Sequence, residues 1–453
     1  MFNRKIEAEL HNWKNKQRRK PLIIRGARQT GKTTLIRKFA RQFKNFVELN
    51  LEKDSTSKIF ANIRDAKETI QSIEGIVNRR IIPGETLLFL DEIQNSISAI
   101  KMLRYFYEEM PGLHIISAGS LLEVRMKKEG WSFPVGRVEF LYLYPVSFYE
   151  FLSAIGEDII LGSVLKCDLN FPLLKPLHDK LLSLLADYMF VGGMPEAVNQ
   201  YISDRNLLSV RKYHGTLFSS FKEDFAKYSS TSEVEYLKLV WDKLPFETGK
   251  RIKYSKLAGS SAKSRDISKA FDILHEAMLV ERIFPTTCTM PPLIKKEKSA
   301  PKSIFLDIGL CTYVANLTKD QISERLMSPM FGGGLFEEFV GQEFLADDSS
   351  NRKSFYFWVR EEKGTSSELD FLLQSGEEIV PVEIKSGSHG SLKSLHQFLA
   401  RSSRNLGVRI WSGQLMKENH KVILHNGKSL QYELLSLPFY LVPRLKEFVL
   451  LHG

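Results

Sequence analysis

Apolar residues fall in two kinds of pattern along the chain. Pro21-Leu22-Ile23-Ile24-Arg25, Thr86-Leu87-Leu88-Phe89-Leu90 and Leu113-His114-Ile115-Ile116-Ser117 are short, nearly continuous apolar runs. Such runs predict strands buried on both faces, as in a parallel sheet flanked by helices. Between the first two, Thr34-Leu35-Ile36-Arg37-Lys38-Phe39-Ala40 reads as an amphipathic helix, and the N-terminal region is predicted as an α/β domain over 1–200. Further on, Ile267, Ala270, Phe271 and Leu274 recur at i, i+3, i+4, i+7, which predicts a helix over 266–275. A shorter helix over Tyr254–Ala258 precedes it; strands over Leu279–Phe284 and Ile304–Asp307 follow, joined by a lysine-rich, proline-containing stretch. Two helices and a hairpin with a long basic tip outline a winged helix within a helical middle domain, 201–325. The last part, 326–453, mixes both patterns: a helix over 335–344, strands over 354–358, 368–373 and 379–385, and a helix over 392–400. The fold expected is thus α/β with a mixed α/β C-terminal domain.

The first apolar run leads directly into Gly26-Ala27-Arg28-Gln29-Thr30-Gly31-Lys32-Thr33, a complete G-x-x-x-x-G-K-[ST], and then into the helix beginning near Thr34. Strand, loop and helix are the context that a phosphate-binding loop requires. Its glycines let successive backbone N–H groups converge on an anion, and the helix N-terminus adds its positive dipole end. Lys32 is then placed to meet the β and γ phosphates, and the Thr33 hydroxyl to ligate magnesium. The second run ends in Asp91-Glu92, a Walker B arrangement in which Asp91 holds magnesium and Glu92 polarises the attacking water. The third run leads to Ala118-Gly119-Ser120, which should lie beside the other two at the carboxyl edge of the sheet. Ser120 or Ser117 is placed there to orient the lytic water. Ser120 also stands at capping-box spacing from Glu123, a compatible structural role. ATP and Mg²⁺ are the expected ligands. No Asn-Lys-x-Asp motif for guanine follows, which sets GTPase chemistry aside.

In the C-terminal part, Asp370 lies on one expected strand and Glu383-Ile384-Lys385 on the next. Period-two alternation puts Glu383 and Lys385 on one face, and a hairpin brings Asp370 to them. This is the D…E-x-K core of PD-(D/E)XK nucleases, in which two carboxylates bind magnesium and the lysine activates water or balances charge. Glu338, or its neighbour Glu337, would add a helical carboxylate, and Gln397 would complete the site.

The net charge of +11 is concentrated in residues 1–20 and in the middle segment 201–330. That localisation fits a nucleic-acid partner for Lys269 and the lysines of the hairpin tip, Lys295, Lys296, Lys298 and Lys302. It fits equally a solvated surface on a module that packs and oligomerises the ATPase. No run of 18 apolar residues and no signal-peptide pattern occurs, and the three scattered cysteines form no metal spacing. A cytoplasmic protein with no membrane span is expected.

The segments Arg25–Thr34, Leu90-Asp91-Glu92-Ile93-Gln94 and Ala118-Gly119-Ser120 resemble a family of prokaryotic AAA-type (AAA+) P-loop ATPases. That family has a C-terminal domain of unknown function similar to PD-(D/E)XK nucleases. Gly136-Arg137, Leu143–Phe151, Gly192-Gly193-Met194-Pro195 and Asp307-Ile308-Gly309-Leu310 extend the resemblance. It implies that Arg137 acts on the γ-phosphate, in cis or from a neighbouring subunit of a homo-oligomer. Leu369-Asp370 replaces the family's Pro-Asp pair and puts nuclease activity in doubt. Two functional readings follow. In one, an ATP-driven switch is coupled to a DNA-acting, nuclease-like domain; in the other, the switch binds a protein partner and carries an inactive nuclease-like domain.

Overall fold

The computed structural model describes residues 2–452 apart from 62–64, 131–132, 135, 228, 260–261, 298, 328–332, 353, 363–364, 388–390 and 425–426. Five strands form a first sheet: β1 (Leu22–Arg25), β2 (Asn45–Asn50), β3 (Thr86–Asp91), β4 (His114–Gly119) and β5 (Glu139–Tyr142), in the order β2-β3-β4-β1-β5. All four pairings are parallel. The three continuous apolar runs supply β1, β3 and β4, each buried along its whole length. The flanking strands β2 and β5 are partly exposed. Alternation sorts the side chains between two layers. Leu22 and Ile24 pack with Trp13, Ile36 and Phe39 from helices Ile6–Lys14 and Lys32–Ala40. Ile23, Leu88 and Leu90 pack with Ile70, Leu103 and Phe106 from helices Ala66–Val77 and Ile97–Glu109. Parallel alignment brings the ends of β1, β3 and β4 to one carboxyl edge.

A helical segment follows: Lys175–Val191, Pro195–Asp204, Leu207–Asp224 and Thr231–Lys243. Trp241 is fully buried there among Phe218, Phe221 and Phe305. Helices Tyr254–Ala258 and Ser264–Glu276 then lead to the hairpin β6 (Val280–Thr286) and β7 (Lys302–Phe305). This hairpin is not a free-standing wing. β6 pairs in parallel with β8 (Phe355–Glu362), so the hairpin is one end of an eight-stranded mixed sheet. The sheet continues through β9 (Thr365–Ser375), β10 (Glu378–Ile384), β11 (Leu406–Trp411), β13 (Ser429–Pro438) and β12 (Met416–Ile423). Of the expected wing lysines, Lys298 lies outside the described residues. Lys302 is buried. One apolar cluster includes Val146, Trp241 and Val408, so the three parts of the chain share a core.

Polar side chains lock these parts together. Helix Gly333–Asp347 buries Glu337, Glu338, Gln342 and Glu343. Glu338 accepts from the Phe305 N–H at 2.9 Å, Gln342 from the Ile308 N–H at 2.8 Å and Glu343 from the Phe148 N–H at 2.8 Å. Asp307, fully buried at the start of helix Ile308–Val314, accepts from the Leu310 N–H at 3.1 Å and the Gly193 N–H at 2.6 Å. The glycines at that contact are required by space: a Cβ on Gly192, whose φ is +76°, would collide with the Asp307 carboxylate, and one on Gly193 with the Val146 carbonyl.

Burial raises the Asp307 carboxyl from 3.8 to about 6, although its backbone donors pull the other way. A raised acid binds its proton more tightly in the folded state, so its contribution to stability declines as pH rises from about 4 to 6. Asp307→Asn removes the titration and keeps one of the two acceptor oxygens, at a cost that does not change with pH. Across that window, denaturant unfolding should show the variant gaining stability relative to wild type, by up to roughly 3 kcal/mol. A constant difference between the two proteins over pH 4–7 would contradict this.

Candidate nucleotide site

The loop between β1 and helix Lys32–Ala40 turns back on itself through two left-handed residues, Gln29 at φ +63° and Gly31 at φ +91°. Thr30 braces it from inside by donating to the Ala27 carbonyl at 2.9 Å. Lys32 is buried and donates to the carbonyls of Gly26 at 2.9 Å and Ala27 at 2.7 Å. These bonds hold the ammonium across the mouth of the loop. Burial lowers it to about 8, against the pull of Glu92 and Asp91.

At the end of β3, Asp91 accepts from the Thr33 hydroxyl at 2.9 Å. Its carboxyl is pushed above the usual range, chiefly by burial and further by neighbouring Glu92. Glu92 has φ +52°, an uncommon conformation for a side-chain-bearing residue, and the chain leaves the sheet there. Its carboxylate lines the pocket and accepts from the Gln94 amide. Gln94 in turn lies over Gly119, where a Cβ would meet its side-chain oxygen. Ser117 and Ser120, both buried on or just after β4, have hydroxyls with no hydrogen-bond partner among the described residues. The capping-box expectation for Ser120 is corrected: the helix starts at Leu122, with Leu121 at the cap and no side-chain cap bond.

A cavity of about 550 Å³ opens over the loop. Arg28, Gln29, Gly31, Lys32, Thr33 and Thr34 form its floor, and Glu92 one wall. Arg4 and Lys38 add positive charge, and Pro195, Asn199 and Tyr213 of the helical segment close the far side. Gly26 and Ala27 shape the turn behind Lys32. The residues present fit a magnesium nucleotide. Backbone donors and the Lys32 ammonium suit phosphate oxygens. The paired oxygens of Thr33 and Asp91 suit a hard cation.

Two P-loop side chains do something the motif does not announce. Arg28 forms an ion pair with Asp224, the last residue of helix Leu207–Asp224, and Gln29 accepts from the Tyr213 hydroxyl of that helix at 3.0 Å. No local sequence signal links residues so far apart. Arg137 lies elsewhere. It precedes β5, which runs parallel to β1 with Glu139 opposite Leu22, so it sits at the amino edge of the sheet. It pairs with Glu108 at 2.7 Å. The strand length between, roughly 13 Å for four residues, separates it from its own P-loop.

The C-terminal candidates are brought together in part. Asp370 on β9 accepts from the Ile384 N–H at 2.8 Å, and Glu383 pairs with Lys385 at 2.6 Å. Glu338 faces away, committed to Phe305. Adjacent residues on a helix point about 100° apart, so Glu337 faces the strands instead. Gln397 accepts from Arg360 at 2.6 Å and Arg401 at 3.1 Å and contacts none of the three core residues.

Comparison with known proteins agrees with the N-terminal geometry. Residues 18–152 match the profile of an AAA domain, residues 182–321 a domain of unknown function (DUF8612), and residues 332–430 a second domain of unknown function (DUF4143). The N-terminal domain is thus of the AAA type, with a P-loop. No curated protein matches the chain. Among solved structures, the chain is similar to the Walker-type ATPase PABY2304 of Pyrococcus abyssi. That match is 14% identical, covers 70% of this chain and 96% of the other, and has a TM-score of 0.42. It is also similar to PCH-2 of C. elegans, 13% identical over 41% and 56% of the two chains, with a TM-score of 0.25. Among the described residues no helix is long and apolar enough to cross a membrane.

Because burial lowers Lys32 to about 8 before any phosphate arrives, its ammonium is progressively lost above that pH. The dissociation constant for a fluorescent ATP analogue should therefore weaken between pH 7 and 9, by roughly tenfold per unit past the midpoint. An affinity unchanged over that range would rule out the lowered ammonium.

Proposed function

We propose that this protein binds and hydrolyses ATP with magnesium and passes its nucleotide state to the helical segment. The observation that carries the reading is the convergence of Lys32, the Thr33–Asp91 pair and Glu92 on one cavity. Magnesium supplies neutralisation of the phosphate charge. Lys32 exchanges its loop carbonyls for phosphate oxygens, and Glu92, oriented by Gln94, accepts the proton of the attacking water. We assign the holding of that water to the Ser120 hydroxyl, which has no hydrogen-bond partner among the described residues. Arg137 would serve only a neighbouring subunit's nucleotide.

The coupling runs through the P-loop itself. Phosphates in the cavity compete for Arg28, which Asp224 now holds, and shift Gln29, which Tyr213 now holds. Helix Leu207–Asp224 thereby senses occupancy. Nucleic acid is the proposed target, supported by the positive charge of the middle segment, and the C-terminal arrangement of Asp370, Glu383 and Lys385 supports a nuclease-like ancestry. The second reading, a switch for a protein partner with an inactive C-terminal domain, is favoured by the position of Lys302.

ATP turnover with and without DNA tests both. Lys32→Ala should abolish turnover. Glu92→Gln should lower it by roughly 10²–10⁴-fold while ATP still binds. Stimulation by DNA that falls steeply with salt would support the nucleic-acid target; indifference to DNA would move the assignment to the protein partner. Turnover that survives Lys32→Ala would refute the site. Asp224→Asn should leave ATP binding within a few-fold and remove any stimulation.

A further inference from the structure

The C-terminal carboxylate cluster contains a cation that the D…E-x-K pattern does not include. Lys302 enters it from the first position of β7, opposite Ile283 on β6. Its side chain is 1% exposed. Its Nζ lies 2.7 Å from Glu337, 2.7 Å from Glu368 and 3.5 Å from Asp370, and 5.2 Å from the centre of the Phe357 ring. The three carboxylates come from helix Gly333–Asp347 and from β9, so Lys302 is where their fields converge. The remaining oxygens are largely spoken for: Glu368 also holds Arg251 at 2.7 Å, and Asp370 the Ile384 N–H.

We propose that the Lys302 ammonium is the resident cation of this cluster, occupying the place a divalent metal would take and closing the site to metal-dependent chemistry. Mg²⁺ or Mn²⁺ binding there would need Asp370 together with Glu337 or Glu368 as ligands. Lys302 already meets all three, and its positive charge repels a second cation there. Burial alone would lower Lys302, but Glu337, Asp370 and Glu368 outweigh it and hold the ammonium above its ordinary range. Glu383 has one oxygen with no hydrogen-bond partner among the described residues. Among the described residues, no group of three or more His, Cys, Asp or Glu is arranged to hold a metal ion. The lysine also ties the hairpin β6–β7 to helix Gly333–Asp347, which gives the cluster a structural role.

Binding of Mn²⁺ to the full-length, nucleotide-free protein, followed by electron paramagnetic resonance, tests the proposal. Wild type should show no Mn²⁺ site that Asp370→Asn removes. Lys302→Gln should create one, with affinity at least tenfold tighter, which is lost again when Asp370→Asn is added. Removing one partner of a buried ion pair can unfold a protein. Lys302→Gln/Glu337→Gln, which deletes both charges, is therefore measured in parallel and should also gain Mn²⁺ through Glu368, Asp370 and Glu383. A wild-type Mn²⁺ site that Asp370→Asn abolishes would overturn the proposal. So would folded Lys302 variants that bind no more Mn²⁺ than wild type.

Discussion

The Asp307 carboxylate is the contact on which the relation between the parts of this chain depends. A carboxylate removed from water must find donors in the protein, and these come from two segments far apart in sequence, the Leu310 and Gly193 N–H groups. The Gly192-Gly193 turn cannot drift from the start of helix Ile308–Val314 without leaving that group unsatisfied. Two residues beyond the turn, Pro195 stands against Gly31 of the P-loop. The floor of the nucleotide cavity and the hairpin that carries Lys302 are therefore positioned through one buried acid. Any movement that nucleotide drives in the helical segment has to carry this contact with it or break it.

Helix Gly333–Asp347 applies the same rule four times. Its buried polar residues take backbone donors from Phe148, Phe305 and Ile308 and the ammonium of Lys302. Acidic residues on an otherwise apolar helix invite a catalytic reading, and Glu338, or its neighbour Glu337, received one. The structure commits it to the end of β7 instead, while Glu337, one position earlier, meets the strands. Neither assignment is available from helical spacing, because which face turns toward β9 depends on how the helix is seated. The same seating puts Lys302 against three carboxylates, a juxtaposition of residues 302, 337, 368 and 370 with no counterpart in local pattern.

The two charged clusters of the molecule differ in what occupies their centres. In the N-terminal cluster Lys32 donates to carbonyls of its own loop, bonds that phosphate oxygens can replace. In the C-terminal cluster Lys302 is bound by carboxylates in a rigid sheet and helix. The first arrangement is poised for exchange; the second is closed. The contrast lies in what holds each ammonium, replaceable backbone carbonyls in the first cluster and carboxylates in the second.

The sequence by itself determined the P-loop, its strand and helix, the Asp91-Glu92 strand end and the parallel character of the first sheet. Each of these is written in contiguous residues, where periodicity and backbone geometry act over a few positions. The paired ends of β9 and β10 were legible for the same reason, since a short hairpin fixes its own register. Only the tertiary structure decided that Arg28 and Gln29 answer to Asp224 and Tyr213, and that Arg137 lies at the opposite edge of the sheet from the P-loop. It alone joined the basic hairpin to the C-terminal sheet and put Lys302 inside the carboxylate cluster. Those outcomes depend on which buried charges find partners, and a buried charge selects its partner by position in space, whatever the distance along the chain.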